Sequence, residues 1–219
     1  MNIFELKDAC RSNLKEYTIQ AFELMPGLND PNILDIGCGT GISSLEILRF
    51  TSGNIIAIDS DEVSIKRFKE KIRKLDVGNR ISIVCNSVFN VKLKIDYFDV
   101  IVAEGILHLI GFKKGLKYLE PFLKKEGYFL IHDEISKHND KLKIIKSNNF
   151  SVLKTIKLSE EIWKNEYIQC LEQRINSVII NKHNSRDNEM FEMLKSEITM
   201  YYNKPASFRS IIYILQKIK

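Results

Sequence analysis

Apolar positions along the chain follow two alternating rhythms. Short runs rich in β-branched residues, at 32–36, 54–59, 80–85, 97–103, 127–132 and 150–157, read as strands. Between them the apolar positions recur at helical spacing. In 61–75 they are Val63, Ile65, Phe68, Ile72 and Leu75, and the turn Asp76-Val77-Gly78-Asn79 ends that helix. Further helices are predicted over 42–50, 112–124 and 139–147. Strands that alternate with helices in this way predict an α/β fold, a mostly parallel sheet covered by helices. The run 97–103 is nearly all apolar, which places it centrally in the sheet.

After the sixth strand the rhythm changes. Positions 159–181 read as one long helix, with Ile162, Trp163, Tyr167, Leu171, Ile175 and Val178 on its apolar face. A second helix covers 188–202, Pro205 stops it, and 208–215 reads as a seventh and last strand. Connections in such folds are usually a few residues long. The segment 159–204 is therefore expected to be a helical cap inserted between strands six and seven. Residues 1–25 form another helical segment, closed by Pro26-Gly27, and 1–219 is expected to be one domain.

Composition adds limits. Hydrophobic residues make up 44% and charged residues 28%, the balance of a globular chain with a substantial core. The net charge is +5, but lysines alternate with acids, as in Lys66-Arg67-Phe68-Lys69-Glu70-Lys71, which is the pattern of solvated helix faces. The stretch 141–157 has five lysines and no acid. Even so, a nucleic-acid partner is not expected from this stretch. No apolar run is long enough for a membrane span, and the first residues lack the features of a signal peptide. The cysteines, Cys10, Cys38, Cys85 and Cys170, are far apart in sequence. They are expected to be four reduced thiols of a cytoplasmic protein, monomeric or homodimeric.

The strongest chemical signal is Ile33-Leu34-Asp35-Ile36-Gly37-Cys38-Gly39-Thr40-Gly41, where a strand passes into a helix. Glycines there allow a tight turn and close approach of backbone to ligand. A helix N-terminus adds unpaired N–H groups and partial positive charge. In dinucleotide enzymes that end binds a pyrophosphate. Here Ile42 stands where the dinucleotide pattern has its third glycine, and Asp35 would repel a pyrophosphate. A carboxylate at that point favours the ammonium of an amino-acid tail. Asp59 ends the second strand about twenty residues downstream, the place of an acid that accepts hydrogen bonds from ribose hydroxyls.

These nine residues resemble the first motif of class I S-adenosylmethionine-dependent methyltransferases. The resemblance implies a Rossmann-like sheet of seven strands with an antiparallel last strand, and S-adenosylmethionine as cofactor. It implies cofactor contacts from Asp35, Gly37, Gly39, Gly41, Asp59, Ser60, Asn86, Ser87 and Glu104, with Asn86 facing the adenine amino group. Tyr17 and Thr18 would close the pocket. The segment Glu104-Gly105-Ile106-Leu107, and Gly111-Phe112 after it, is similar to a branch that methylates small molecules. Amino DNA methyltransferases carry Asn/Asp-Pro-Pro-Tyr/Phe there instead. An RNA or protein methyltransferase, or a cofactor-binding module without turnover, remains the alternative.

A methyl sulfonium is already electrophilic, so a base is needed only where the nucleophile must lose a proton. His108, four residues beyond Glu104, is the candidate base. His132-Asp133-Glu134 ends the fifth strand at the same edge. Adjacent strand residues point to opposite faces, which weighs against a shared metal there. Trp163 and Tyr167, four apart on one helix face, are candidates for substrate binding.

Overall fold

The computed structural model describes residues 1–75, 77–177 and 185–218. Asp76 of the predicted turn lies outside them, as do 178–181 at the end of the first cap helix, Val178 included. The seven strands are β1 (Asn32–Ile36), β2 (Asn54–Asp59), β3 (Ile81–Cys85), β4 (Phe98–Glu104), β5 (Leu123–Glu134), β6 (Phe150–Leu158) and β7 (Ser210–Lys217). They form one sheet in the order β3-β2-β1-β4-β5-β7-β6. Strands β1 to β5 pair in parallel. β7 runs antiparallel. Its last residues meet the start of β6, where Ile218 N–H donates to the Asn149 carbonyl and Ser151 Oγ to that of Gln216.

The chain divides into two compact units, a helical one of Met1–Glu16 with Lys157–Ser210 and a sheet unit of Tyr17–Ile156 with Ile211–Lys219. In the sheet unit the order of strands buries β1 and β4 on both faces, and Leu34, Ile36, Ile101, Ala103, Phe129 and Ile131 form the centre of its core. The helical unit begins with α1 (Ile3–Arg11), and the chain continues through α2 (Lys15–Glu23) into the sheet unit, which holds α3 (Ile42–Phe50), α4 (Glu62–Ile72), α5 (Leu107–Ile110), α6 (Phe112–Leu119) and α7 (His138–Ser147). The helix predicted over 112–124 stops at Leu119. Pro121 cannot donate the helical hydrogen bond, so Glu120–Phe122 form a 3-10 turn. β5 then starts at Leu123 and runs twelve residues, longer than predicted.

The insertion between β6 and β7 holds α8 (Glu160–Trp163), α9 (Gln169–Ile175) and α10 (Ser185–Asn203), with a π-helical turn, Lys164–Ile168, joining the first two. Ser159 caps this helix by accepting from Ile162 N–H at 3.3 Å. Side chains from distant segments hold the helical unit together. The expectation of four reduced thiols is corrected here: Cys10 of α1 and Cys170 of α9 form a disulfide, 160 residues apart in sequence, and only Cys38 and Cys85 are free. Spacing could not show that pair, because the fold alone brings its helices together. Arg11 lies 5.0 Å from the Trp163 ring and 5.6 Å from that of Tyr167. Arg209 pairs with Glu160 and pulls its carboxyl down to about 2. Among the described residues no helix is long and apolar enough to cross a membrane.

Candidate functional site

In the sheet unit the carboxyl ends of β1, β2, β4 and β5 bring most of the expected residues together. The chain leaves β1 at Ile36, and Gly37 and Cys38 N–H both donate to the Ile58 carbonyl at 2.8 and 3.2 Å. Gly41 then caps α3 with φ of +79°. A Cβ there would stand 2.0 Å from the Phe68 ring, so both conformation and packing require glycine. Gly37 backs onto Ile106, which fixes the loop against the turn after β4. Gly39 differs: a Cβ built on it meets no atom within 4 Å. Its open side is room for a ligand to approach the backbone. Lys71 Nζ reaches across from α4 to the Thr40 carbonyl at 2.8 Å.

Asp59 is tied to this loop. Its Oδ2 accepts from Gly39 N–H at 2.7 Å and its Oδ1 from Asp61 N–H at 2.9 Å. A carboxylate has about four lone-pair positions, so acceptor capacity remains for hydroxyl groups. Ser60 is exposed beside it. Asn86 N–H donates to the Asp59 carbonyl, and its own side-chain oxygen accepts from Ser87 N–H at 2.8 Å. Ser87 caps the following turn by accepting from Phe89 N–H. Asn86 is exposed at the edge of this group.

Asp35 lies below the loop, not on its surface. It is buried, and Ser44 on the first turns of α3 donates to its Oδ2. Burial raises its carboxyl to about 7. The Ser44 bond opposes that rise, while the charges of Glu104 and Asp59 add to it. Burial, with Asp35 and Asp59 nearby, also pushes the Cys38 thiol far up and keeps it protonated. Glu104 joins two elements to the loop: Thr18 Oγ1 donates to its Oε1 at 2.7 Å and Ser43 Oγ to its Oε2 at 3.0 Å.

His108 stands on the short helix α5, about half exposed. Gly105 N–H donates to the His132 carbonyl at 2.8 Å and ties that turn to β5. Nδ1 of His108 lies 3.7 Å from Oδ1 of Asp133, a buried carboxylate. Lys141 Nζ, itself buried, lies 2.9 Å from the other Asp133 oxygen. Among the described residues no group of three or more His, Cys, Asp or Glu is placed to hold a metal ion.

Trp163 and Tyr167 lie in the helical unit. Both are buried, and Trp163 Nε1 donates to Ser210 Oγ at 2.9 Å and Tyr167 OH to Glu197 at 2.7 Å. Their observed partners are packing partners. Sequence reasoning missed Ser43, Ser44, Lys71 and Lys141. The two serines follow Gly41 within a helical turn, a signal that was available. The two lysines looked like others on charged faces.

A profile of the methyltransferase-domain family matches residues 29–193. Ribosomal protein L11 methyltransferase of Ruminiclostridium cellulolyticum is 28% identical over 144 residues, 65% of this chain and 44% of its own. Sterol 24-C-methyltransferase of Eremothecium gossypii is 29% identical over 108 residues, 49% of this chain and 29% of its own. The chain thus spans less than half the length of these relatives. A S-adenosylmethionine-dependent methyltransferase from Geobacter sulfurreducens, solved with S-adenosyl-L-homocysteine, shares the fold. Its TM-score is 0.73 at 14% identity, over 92% of this chain and 90% of that one. The glycine loop, the acid that ends β2 and strands β1 to β6 lie within the matched region, and the chain belongs to the methyltransferase-domain family.

Proposed function

We propose that the chain binds S-adenosylmethionine and transfers its methyl group to an O, N or C nucleophile of a small molecule. The observation that carries this reading is the open side of Gly39, framed by Asp59 and backed by Glu104 and Asp35. Glycine backbone gives close approach, and three carboxyl groups suit a ligand with an ammonium group, a sulfonium and two ribose hydroxyls. Bound there, the cofactor supplies an activated methyl group. Asp59 accepts from the ribose, Gly39 leaves space for the tail and sulfur, and Gly37 and Gly41 hold the loop that presents it. Ser60, Asn86 and Ser87 border the base. Glu104, held by Thr18 and Ser43, fixes the floor of the pocket.

The protein's main contribution is alignment, which can supply on the order of 7–11 kcal/mol. Where the nucleophile carries a proton, His108 takes it. Trp163 and Tyr167 belong to substrate recognition in this reading, as the aromatic part of the helical unit. The L11 methyltransferase relative favours a second reading, a protein acceptor.

Calorimetric titration tests the cofactor: S-adenosylhomocysteine binds, NAD does not, and Asp59→Ala weakens the former. Unchanged affinity in that variant removes the ribose contact from the reading. Transfer of labelled methyl to small-molecule fractions supports the acceptor class. Label found only in protein moves the reading to the second acceptor.

A further inference from the structure

The buried charge pair beside His108 lies outside the residues assigned above to the cofactor. Asp133 near the end of β5 and Lys141 on α7 are both almost wholly buried, with Nζ 2.9 Å from Oδ2. Burying two charges is expensive, and their attraction repays the cost only when geometry and further hydrogen bonds are good. Here the fit is incomplete: Asp133 Oδ2 lies close to the ammonium but accepts no hydrogen bond, so the pair is held by charge. Lys141 Nζ donates to the Glu134 carbonyl at 2.5 Å and lies 5.5 Å from the Phe112 ring. Asp133 Oδ1 accepts from Glu134 N–H at 3.0 Å. The carboxylate is therefore tethered at Oδ1 by the backbone and drawn at Oδ2 by the charge of Lys141, and Oδ1 lies 3.7 Å from Nδ1 of His108, an ion-pair distance longer than a hydrogen bond.

We infer that Asp133, paired with Lys141, is a positioning residue that sets the tautomer and orientation of His108. An imidazole whose Nδ1–H points to a carboxylate presents Nε2 as the basic nitrogen, and the partner of one ring nitrogen decides where the proton sits on the other. Asp133 also stabilises the imidazolium formed when Nε2 accepts the substrate proton. In that step the bond from nucleophile to methyl forms, the methyl–sulfur bond breaks with its electron pair going to sulfur, and the nucleophile's proton passes to Nε2. Lys141 offsets the buried negative charge of the carboxylate. The sequence shows none of this, because Lys141 stands in a stretch of five lysines. The inference rests on His108 as the base, but its test does not need the substrate.

The experiment is nitrogen-15 NMR of histidine-labelled full-length protein at a pH where the ring is neutral, with His108→Ala to assign the signal. The Nδ1–H tautomer should dominate at His108 in the wild type. In Asp133→Asn the population should shift to the Nε2–H form that free imidazole side chains favour. Loss of one buried partner costs folding stability, so Asp133→Asn with Lys141→Met removes both charges together. The same shift is expected there. A wild-type signal dominated by Nε2–H, or identical populations in wild type and the double variant, overturns the proposal. Once an acceptor is known, His108→Ala separates the two readings. Full activity in that variant ends the role of base and leaves the tautomer result standing.

Discussion

The sheet unit and the helical unit reach their structures by different means. In the sheet unit the turn of the glycine loop is set by residues close in sequence: five consecutive residues, from Gly37 to Gly41, turn β1 into α3, and one acid at the end of β2 secures the loop. In the helical unit the ties join remote segments: Cys10 to Cys170, Asn13 to the Glu166 carbonyl, Trp163 to Ser210 and Tyr167 to Glu197. The first kind of order depends on backbone conformation and close packing, the second on particular side-chain pairs. Local changes should therefore break the sheet unit, and loss of long-range ties should loosen the helical one.

The largest effect is expected from Gly41→Ala. The residue would carry a left-handed φ at about 1–2 kcal/mol, and its Cβ would collide with Phe68, at a further cost of about 1–3 kcal/mol for overpacking. Thermal unfolding should show a large fall in Tm. In contrast, Gly39→Ala carries only the left-handed strain of its φ of +53° and meets no atom, so it should cost less stability than Gly41→Ala and show its main loss in S-adenosylhomocysteine affinity. Equal losses of stability in the two variants would break the contrast.

Asp35 gives the sheet unit a pH signature. Its folded carboxyl is raised from 3.8 to about 7, so the stability it contributes is complete below 3.8 and is lost as pH rises through about 7. The total is on the order of a few kcal/mol. Denaturant titrations at a series of pH values should show this loss in the wild type and not in Asp35→Asn. Binding of a cationic ligand should reverse it. The carboxyl then releases a proton near pH 7, visible as a buffer-dependent heat of binding.

For the helical unit, reduction of the disulfide, or Cys10→Ser, should cost about 2–4 kcal/mol. Hydrogen exchange should rise in α1 and α9 while β1 and β4 keep their protection. Uniform loss across both units would show that they do not differ in this way. The smallest effect belongs to Trp163→Phe, which loses the bond to Ser210 at about 1 kcal/mol. Cofactor affinity should be unchanged.

Much was legible in the chain before folding. Strand and helix periods gave the alternating elements, since each must bury one apolar face. The glycine loop, Asp59 and the break in rhythm at 159 gave the cofactor end and the insertion. Those features depend on residues close in sequence, where backbone geometry follows from residue type. The extra length of β5 was not legible, although Pro121 marks where the helix before it must end.

Tertiary structure alone decided three things: that Cys10 meets Cys170, that Asp35 lies beneath the glycine loop against Ser44, and that one lysine among five is buried against Asp133. Each is a meeting of side chains from separate elements. The chain's pattern specifies which face of an element turns inward, but partners across the core are chosen by how the elements pack. For charged groups that choice matters most, because burial makes an unpaired charge costly and a paired one fixed in place.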